Sequence, residues 1–234
     1  MSDIETVKIN RVEIAVEPWR WEFADTRRDD IDRHFAAMQR QRSALWNGRV
    51  LLLHRYAICT GNLNGACFET DYASFTAWRS WSFPDASVFN VFAAAALRAA
   101  DGAYLVGEMA SSTANAGMLY FPCGTPEPGD VDSAGFLDVA GNLGRELREE
   151  TGLDVGSLNA ESDWTMVRDR CYIALLKPVT AAENAETLRR RIMRHLASEP
   201  RPELVDIRIV RGPADLDARM PRFVVAFLEN VWRR

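Results

Sequence analysis

The 234-residue sequence predicts an α/β chain, built as one large domain or as one domain with an elaborated N-terminal part. Two observations predict it. Short apolar runs bounded by Gly, Asn and Asp alternate with amphipathic stretches at helical spacing along the whole chain. No internal repeat and no low-complexity linker interrupts that alternation.

The elements follow in order. Val7, Ile9, Val12, Ile14 and Val16 alternate as a strand does, with a shift of phase near Asn10 that reads as a turn or bulge. Thr26 to Trp46 reads as an amphipathic helix with Ile31, Phe35, Met38 and Leu45 on one stripe, and Asn47-Gly48 ends it. Arg49–Cys59 and Gly65–Tyr72 read as two strands joined by Gly61-Asn62-Leu63-Asn64, a hairpin signal. A short helix follows over Ala73–Trp81. Strands are expected at Val88–Leu97, at Ala103–Glu108 after the Ala100-Asp101-Gly102 turn, and at Met118–Phe121. A helix ending at Gly152 precedes strands Trp164–Val167 and Cys171–Leu176. A helix around Ala181–Ala197, strand Leu204–Val210 and a helix near Phe223–Trp232 complete the chain. Arg189, Arg190, Arg191 and Arg194 thread between the apolar positions Leu188, Ile192 and Leu196, so they read as a solvated helix face, with an anion-binding surface as the alternative. Trp19, Trp21, Trp46, Trp78 and Trp81 are either packing residues or platforms for a nucleobase.

Composition narrows the function classes. A net charge of −5 argues against a nucleic-acid-binding surface. No apolar run approaches the roughly 18–20 residues of a transmembrane helix, and the polar, acidic N-terminus is unlike a signal peptide, so a cytoplasmic protein is expected. Cys59, Cys67, Cys123 and Cys171 lack CxxC spacing, and His34, His54 and His195 are scattered, so neither a zinc site nor a disulfide framework is indicated.

The chemistry concentrates in Arg145-Glu146-Leu147-Arg148-Glu149-Glu150-Thr151-Gly152-Leu153. Helical spacing gathers Glu146, Glu149 and Glu150 into one acidic patch, with Arg145 beside Glu149 at i,i+4. Val139, Leu143 and Leu147 form an apolar stripe on another side, Asp138 is an N-cap candidate, and Gly152 sits at the helix stop. Like charges at this spacing repel by about 0.2–0.5 kcal/mol, which one arginine offsets in part. Two readings stand: a solvated charged face, or hard oxygen ligands for Mg²⁺ or Mn²⁺. The flank Leu119-Tyr120-Phe121-Pro122-Cys123-Gly124-Thr125-Pro126-Glu127-Pro128-Gly129-Asp130 is a strand running into a Pro/Gly-rich loop, and it favours the second.

Gly124 to Leu153 resembles the Nudix box, whose pattern is Gly, five residues, Glu, seven residues, then Arg-Glu-apolar-x-Glu-Glu-x-Gly-apolar. Two departures are plain. Asp130 stands where the family has Glu, and Val131 to Gly144 is seven residues longer than the family spacing, an excess read as a loop insertion near Asp132–Asp138. The resemblance implies a Nudix α/β/α sandwich with a mixed β-sheet over 85–234, and an N-terminal αβ extension over 1–84 packed on that core.

It also implies a Mg²⁺-dependent hydrolase, with Mn²⁺ as the alternative ion, acting on a small-molecule nucleotide and not on nucleic acid or at a membrane. The expected metal ligands are Glu146, Glu149, Glu150 and the backbone carbonyl of Cys123, with Arg145 orienting the glutamates chiefly through Glu149. Glu203 is the outside candidate for general base, against the plainer reading of a surface glutamate beside Pro202. Trp46-Asn47, Leu52-Leu53-His54, Thr70-Asp71-Tyr72, Phe75 and the Phe121–Pro128 loop resemble the animal Nudix UDP-sugar hydrolases, which implies cleavage of UDP-glucose or UDP-galactose to UMP and sugar 1-phosphate. The alternatives are a Nudix pyrophosphatase for ADP-ribose, a dinucleotide or a nucleoside triphosphate, and a non-catalytic Nudix nucleotide sensor. The oligomeric state is left open, a homodimer included.

Overall fold

The computed structural model describes residues 4–42 and 45–233. The phase shift at Asn10 is where the chain passes between sheets. Strand β1 (Glu5–Ile9) belongs to the larger one and β2 (Arg11–Val16) to the smaller. The smaller sheet has the order β2-β4-β3, with β4 (Asn62–Asp71) parallel to β2 and antiparallel to β3 (Arg49–Cys59). The β3–β4 turn is tighter than expected. Thr60 and Gly61 take φ of 48° and 79°, the left-handed pair whose twist matches a two-residue hairpin, so Asn62, Leu63 and Asn64 belong to β4.

The helix expected over Thr26–Trp46 is shorter and interrupted. It resolves into α1 (Glu22–Thr26) and α2 (Arg28–Gln41), with Arg27 at φ −113° between them. Ile31 and Phe35 are buried as the stripe required. Arg42 turns extended at φ −139° and ψ 85°, so Leu45 and Trp46 leave the helix; Ser43 and Ala44 lie outside the described residues. Helix α3 (Tyr72–Ser80) is doubly capped. Asp71 accepts the Ser74 N–H at 2.9 Å and the Asn47 side-chain oxygen accepts that of Ala73 at 2.8 Å.

The larger sheet runs β1-β10-β11-β5-β6-β12, formed with β5 (Asn90–Arg98), β6 (Tyr104–Met109), β10 (Trp164–Asp169), β11 (Tyr172–Thr180) and β12 (Leu204–Val210). Short strands β7 (Leu119–Tyr120), β8 (Cys123–Gly124) and β9 (Asn159–Ala160) pair with β6, β5 and β11. The β11–β5 pair is parallel and its neighbours are antiparallel, so the sheet is mixed. Val88 falls before β5 because Phe89 exchanges backbone hydrogen bonds with Leu53 of β3, at 2.8 and 2.9 Å, before the chain enters the large sheet. Cys171 falls before β11 because Arg170 takes the left-handed φ of 56° in the turn.

Helices α4 (Val139–Thr151) and α5 (Ala185–Ser198) touch each other and pack on β5 and β12, while α6 (Arg222–Trp232) packs on β10 and β1. Phe223 meets Phe92 at 5.3 Å, and Phe227 meets Tyr104 and Phe121 at 5.8 and 5.6 Å. Truncating Phe227 to Ala would cost about 3–5 kcal/mol, because the ring is fully buried. The layers are α/β/α, in the expected α/β class. Helix α5 starts later than the sequence suggested, because Asn184 rather than a residue near Ala181 supplies the N-cap, accepting the Thr187 N–H at 3.0 Å. Its arginines are not simply solvated: Arg189 pairs with Asp206, and Arg191 with Glu183 at 2.9 Å. Among the described residues no helix is long and apolar enough to cross a membrane.

Candidate active site

Helix α4 is fixed at both ends by its own sequence. Asp138 accepts the Gly141 N–H at 2.8 Å, and Gly152 takes φ 69° and returns its N–H to the Arg148 carbonyl at 2.8 Å. Leu143 and Leu147 are buried in the main core, which fixes the rotation of the helix about its axis. That rotation turns Glu146 and Glu150, one turn apart, toward the loop between β7 and β8.

The loop is brought under the helix by β8, in which Cys123 and Gly124 pair with Ala94 and Ala93 of β5. Gly124 has no left-handed φ, so its requirement is space alone. A Cβ built on it would fall on the Glu146 carboxylate. Glu150 is 4% exposed, and its Oε2 is buried without a hydrogen-bond partner. Burial, and then the charges of Glu146 and Glu203, push its pKa well above the usual carboxylate range, while the backbone N–H of Cys123 works the other way. Burial likewise raises Glu146 to about 7, against the pull of Arg145. The Cys123 thiol is pushed up by burial and by the glutamates facing it.

Asp130 is the residue the sequence left without a role, and the structure gives it one. It is buried, and it accepts from Arg145 Nη2 at 2.9 Å, Arg145 Nε at 3.2 Å, Asn142 Nδ2 at 2.9 Å and the Glu127 N–H at 3.0 Å. Arg145 also reaches Glu146 at 2.8 Å and Glu149 at 3.3 Å, so its main anchor is Asp130 rather than Glu149. Burial alone would lower the arginine's pKa; the Asp130 hydrogen bonds and the neighbouring carboxylates raise it instead. Asp130 is one methylene shorter than glutamate, and at this position it engages the arginine in a two-point contact.

The insertion before α4 is not a free loop. Val131 bridges Leu137 across a turn in which Gly135 takes φ 84°. Val16 donates to the Gly135 carbonyl and Leu137 to the Ile14 carbonyl, both at 2.8 Å. The insertion is therefore a small hairpin laid on the edge of β2, and it ties the Asp130 end of the site to the smaller sheet.

Glu149 stands at the rim, its side chain 60% exposed, facing Arg145. Glu203 precedes β12, and its backbone carbonyl accepts the Ala110 N–H at 2.7 Å. The residue is exposed, but its carboxyl group is crowded by the cleft walls, which raise its pKa together with the charge of Glu149. Glu203 thus faces the same acidic group as Glu146 and Glu150. Asn142 and Glu127 went unremarked in the sequence. The latter had a readable signal, since Glu127-Pro128-Gly129-Asp130 has the spacing of a capping box.

A cleft of about 820 Å³ opens beside these residues, walled on one side by the smaller sheet and α3 and on the other by the large sheet. Of the residues that resemble the UDP-sugar enzymes, Tyr72 and Phe75 line it and Asn47 and Asp71 cap α3. Trp46 is 79% exposed at its mouth, whereas Trp21 and Trp78 are buried packing residues. Among the described residues no three His, Cys, Asp or Glu side chains are gathered at metal-ligand geometry. The donor set still fits a hard divalent cation: it is all carboxylate, and one buried oxygen of Glu150 is unpartnered.

No protein-family model matches the chain, and no curated protein matches its sequence. Solved structures similar to it include a Nudix hydrolase from M. smegmatis, RenU, at 18% identity and a TM-score of 0.42, covering 62% of this chain and 87% of that one. A Nudix hydrolase from Nitrosomonas europaea is similar at 18% identity and a TM-score of 0.40, covering 62% and 89%. A MutT protein from Methanosarcina mazei Go1 is similar at 16% identity and a TM-score of 0.39, covering 62% and 94%.

Proposed function

We propose that this chain is a Nudix hydrolase, an enzyme that uses a divalent cation to cleave the diphosphate of a nucleoside diphosphate-linked substrate, with UDP-sugars foremost. The observation that carries the reading is the arrangement at Glu150: a buried carboxylate with an unpartnered oxygen, one helical turn from Glu146, against a glycine that leaves room for no side chain. A solvated charged face would not bury Glu150, since an unpaired buried charge is costly.

Glu146, Glu149 and Glu150 would hold Mg²⁺, or Mn²⁺ in its place, with the Cys123 carbonyl beside them. When bound, the ion supplies charge neutralisation of the diphosphate and a water of lowered pKa. Arg145, anchored on Asp130, holds Glu146 in place and keeps the acidic group from splaying. The Glu203 carboxylate would accept the proton of the attacking water, and its raised pKa brings it nearer the range where a general base works at neutral pH. The choice of a UDP-sugar is supported by Tyr72 and Phe75 in the cleft wall and by the capping of α3 through Asn47 and Asp71.

Phosphatase-coupled phosphate release with Mg²⁺, run over UDP-glucose, UDP-galactose, ADP-ribose, dinucleotides and nucleoside triphosphates, tests this. Preferred turnover of a UDP-sugar is expected. Turnover of another diphosphate alone moves the substrate but keeps the chemistry, and binding without turnover of any of them replaces the enzyme by a sensor.

A further inference from the structure

The cleft contains a cation that the acidic chemistry does not explain. Arg79 lies in the last turn of α3, half-buried, and lines the cleft. Its Nε donates to the Tyr172 hydroxyl at 3.2 Å and its Nη2 to the Asn115 side-chain oxygen at 3.1 Å. The guanidinium also lies 5.3 Å from the Phe75 ring centre and 5.9 Å from that of Tyr172. All of these partners are neutral. Among the described residues its side-chain hydrogen bonds go to these two groups and to no carboxylate.

A half-buried guanidinium held rigid by neutral groups is a site prepared for an anion, because its charge is desolvated yet uncompensated and its ordering cost is already met by the fold. The placement is deliberate in the sequence. The two side chains that cap α3 set that helix, and Phe75 packs one turn before Arg79 on the same face. Asn115 in turn donates to the Tyr120 hydroxyl at 2.9 Å, and Tyr120 lies in the strand that leads directly to Cys123 and Gly124. A chain of hydrogen bonds thus joins Arg79 to the loop that faces Glu146 and Glu150.

We propose that Arg79 is a substrate-binding residue that receives a phosphate of the diphosphate on the side of the cleft away from the acidic group. The proposal rests on the hydrolase reading above for the identity of its ligand. It makes α3, within the segment 1–84, part of the site: that helix brings the cation and α4 brings the carboxylates.

The test uses the full chain with Arg79→Gln and Arg79→Lys. Inorganic pyrophosphate binding is measured by calorimetry in EDTA at two salt concentrations, beside the thermal midpoint of each protein. The wild type is expected to bind with an affinity that falls as salt rises. Arg79→Gln should bind at least tenfold more weakly at an unchanged midpoint, and Arg79→Lys should lie between them. In turnover, Arg79→Gln should raise KM with kcat nearly kept, as loss of a contact made equally in ground and transition states does. Pyrophosphate binding by Arg79→Gln equal to that of the wild type overturns the proposal. So does no saturable binding by the wild type, or a loss matched by a fall in midpoint that Arg79→Lys does not repair, which would make Arg79 a clamp between α3 and the loop before β7. Because binding in EDTA needs no turnover, an inactive wild type that still binds pyrophosphate through Arg79 refutes the hydrolase reading and leaves the anion site standing.

Discussion

Gly124→Ala separates the site from the fold. The added methyl meets both carboxylate oxygens and the carboxyl carbon of Glu146, with Oε2 2.5 Å from the new Cβ where ordinary contact begins at 3.4 Å. The obstruction is the end of a flexible side chain, not backbone, so the structure yields by rotating Glu146 away rather than by opening the sheet. The carboxylate has to retreat by roughly 1 Å, a misplacement that costs on the order of 10²-fold in a positioned reaction. Stability has little at stake: Gly124 has no left-handed φ, and what is lost is the partly exposed Arg145–Glu146 ion pair at 2.8 Å, worth about 1 kcal/mol or less. The assay pairs Mg²⁺-dependent initial rates with urea denaturation. The expected result is a rate down about 100-fold with a stability change within about 1 kcal/mol. Near-normal turnover would refute the reasoning, since Glu146 would then have no duty at the place where the structure holds it. So would a collapse of stability, which would mean that the loop and not the side chain had moved.

Three further outcomes are expected. Asp130→Asn leaves Arg145 with a neutral partner; because that arginine is 31% exposed, the loss is reduced from the 3–5 kcal/mol of a fully buried pair to about 2 kcal/mol, and chemical denaturation reads it directly. In the metal-free protein, burial raises Glu146 from 4.5 to about 7, so the folded chain retains a proton that the unfolded chain releases. This contribution to stability is full below about pH 4.5 and is lost as pH rises through about 7; the thermal midpoint in EDTA should fall across that window, and added Mg²⁺ should raise it more at pH 8 than at pH 6. Glu203→Gln should lower kcat by about 10²–10⁴-fold with little change in KM and remove the acid limb of the pH–rate profile. An unchanged profile would return Glu203 to the surface role that its neighbour Pro202 first suggested.

What the sequence made legible was local. Asp138 and Gly152 bound α4 because a cap and a left-handed stop are properties of a few consecutive residues, and β3 and β12 run over the segments expected of them for the same reason. The break at Asn10 was visible as a change of period, although only the structure shows that it moves the chain between sheets. The insertion is legible as a loop, but its docking on β2 is not, because that strand lies more than a hundred residues earlier and nothing within Asp132–Asp138 names it. Asp130 was undecided for a related reason. Its charge was plain, but its choice of Arg145 and Asn142 depends on how the hairpin returns the chain to the start of α4. The helix over Thr26–Trp46 was overextended because Leu45 continued the stripe, while Asn47 was already committed to capping α3. Arg79 carried no signal at all, since one arginine in a short helix reads as solvated until its neutral partners are seen.

The central claim is that Glu146 and Glu150 form a divalent-cation site, and it is tested most directly by Mn²⁺ titration followed by electron paramagnetic resonance, comparing the wild type with Glu150→Gln. The account predicts saturable Mn²⁺ binding by the wild type and its loss in a variant that keeps the same thermal midpoint or a higher one. Equal Mn²⁺ binding by the two proteins would contradict it.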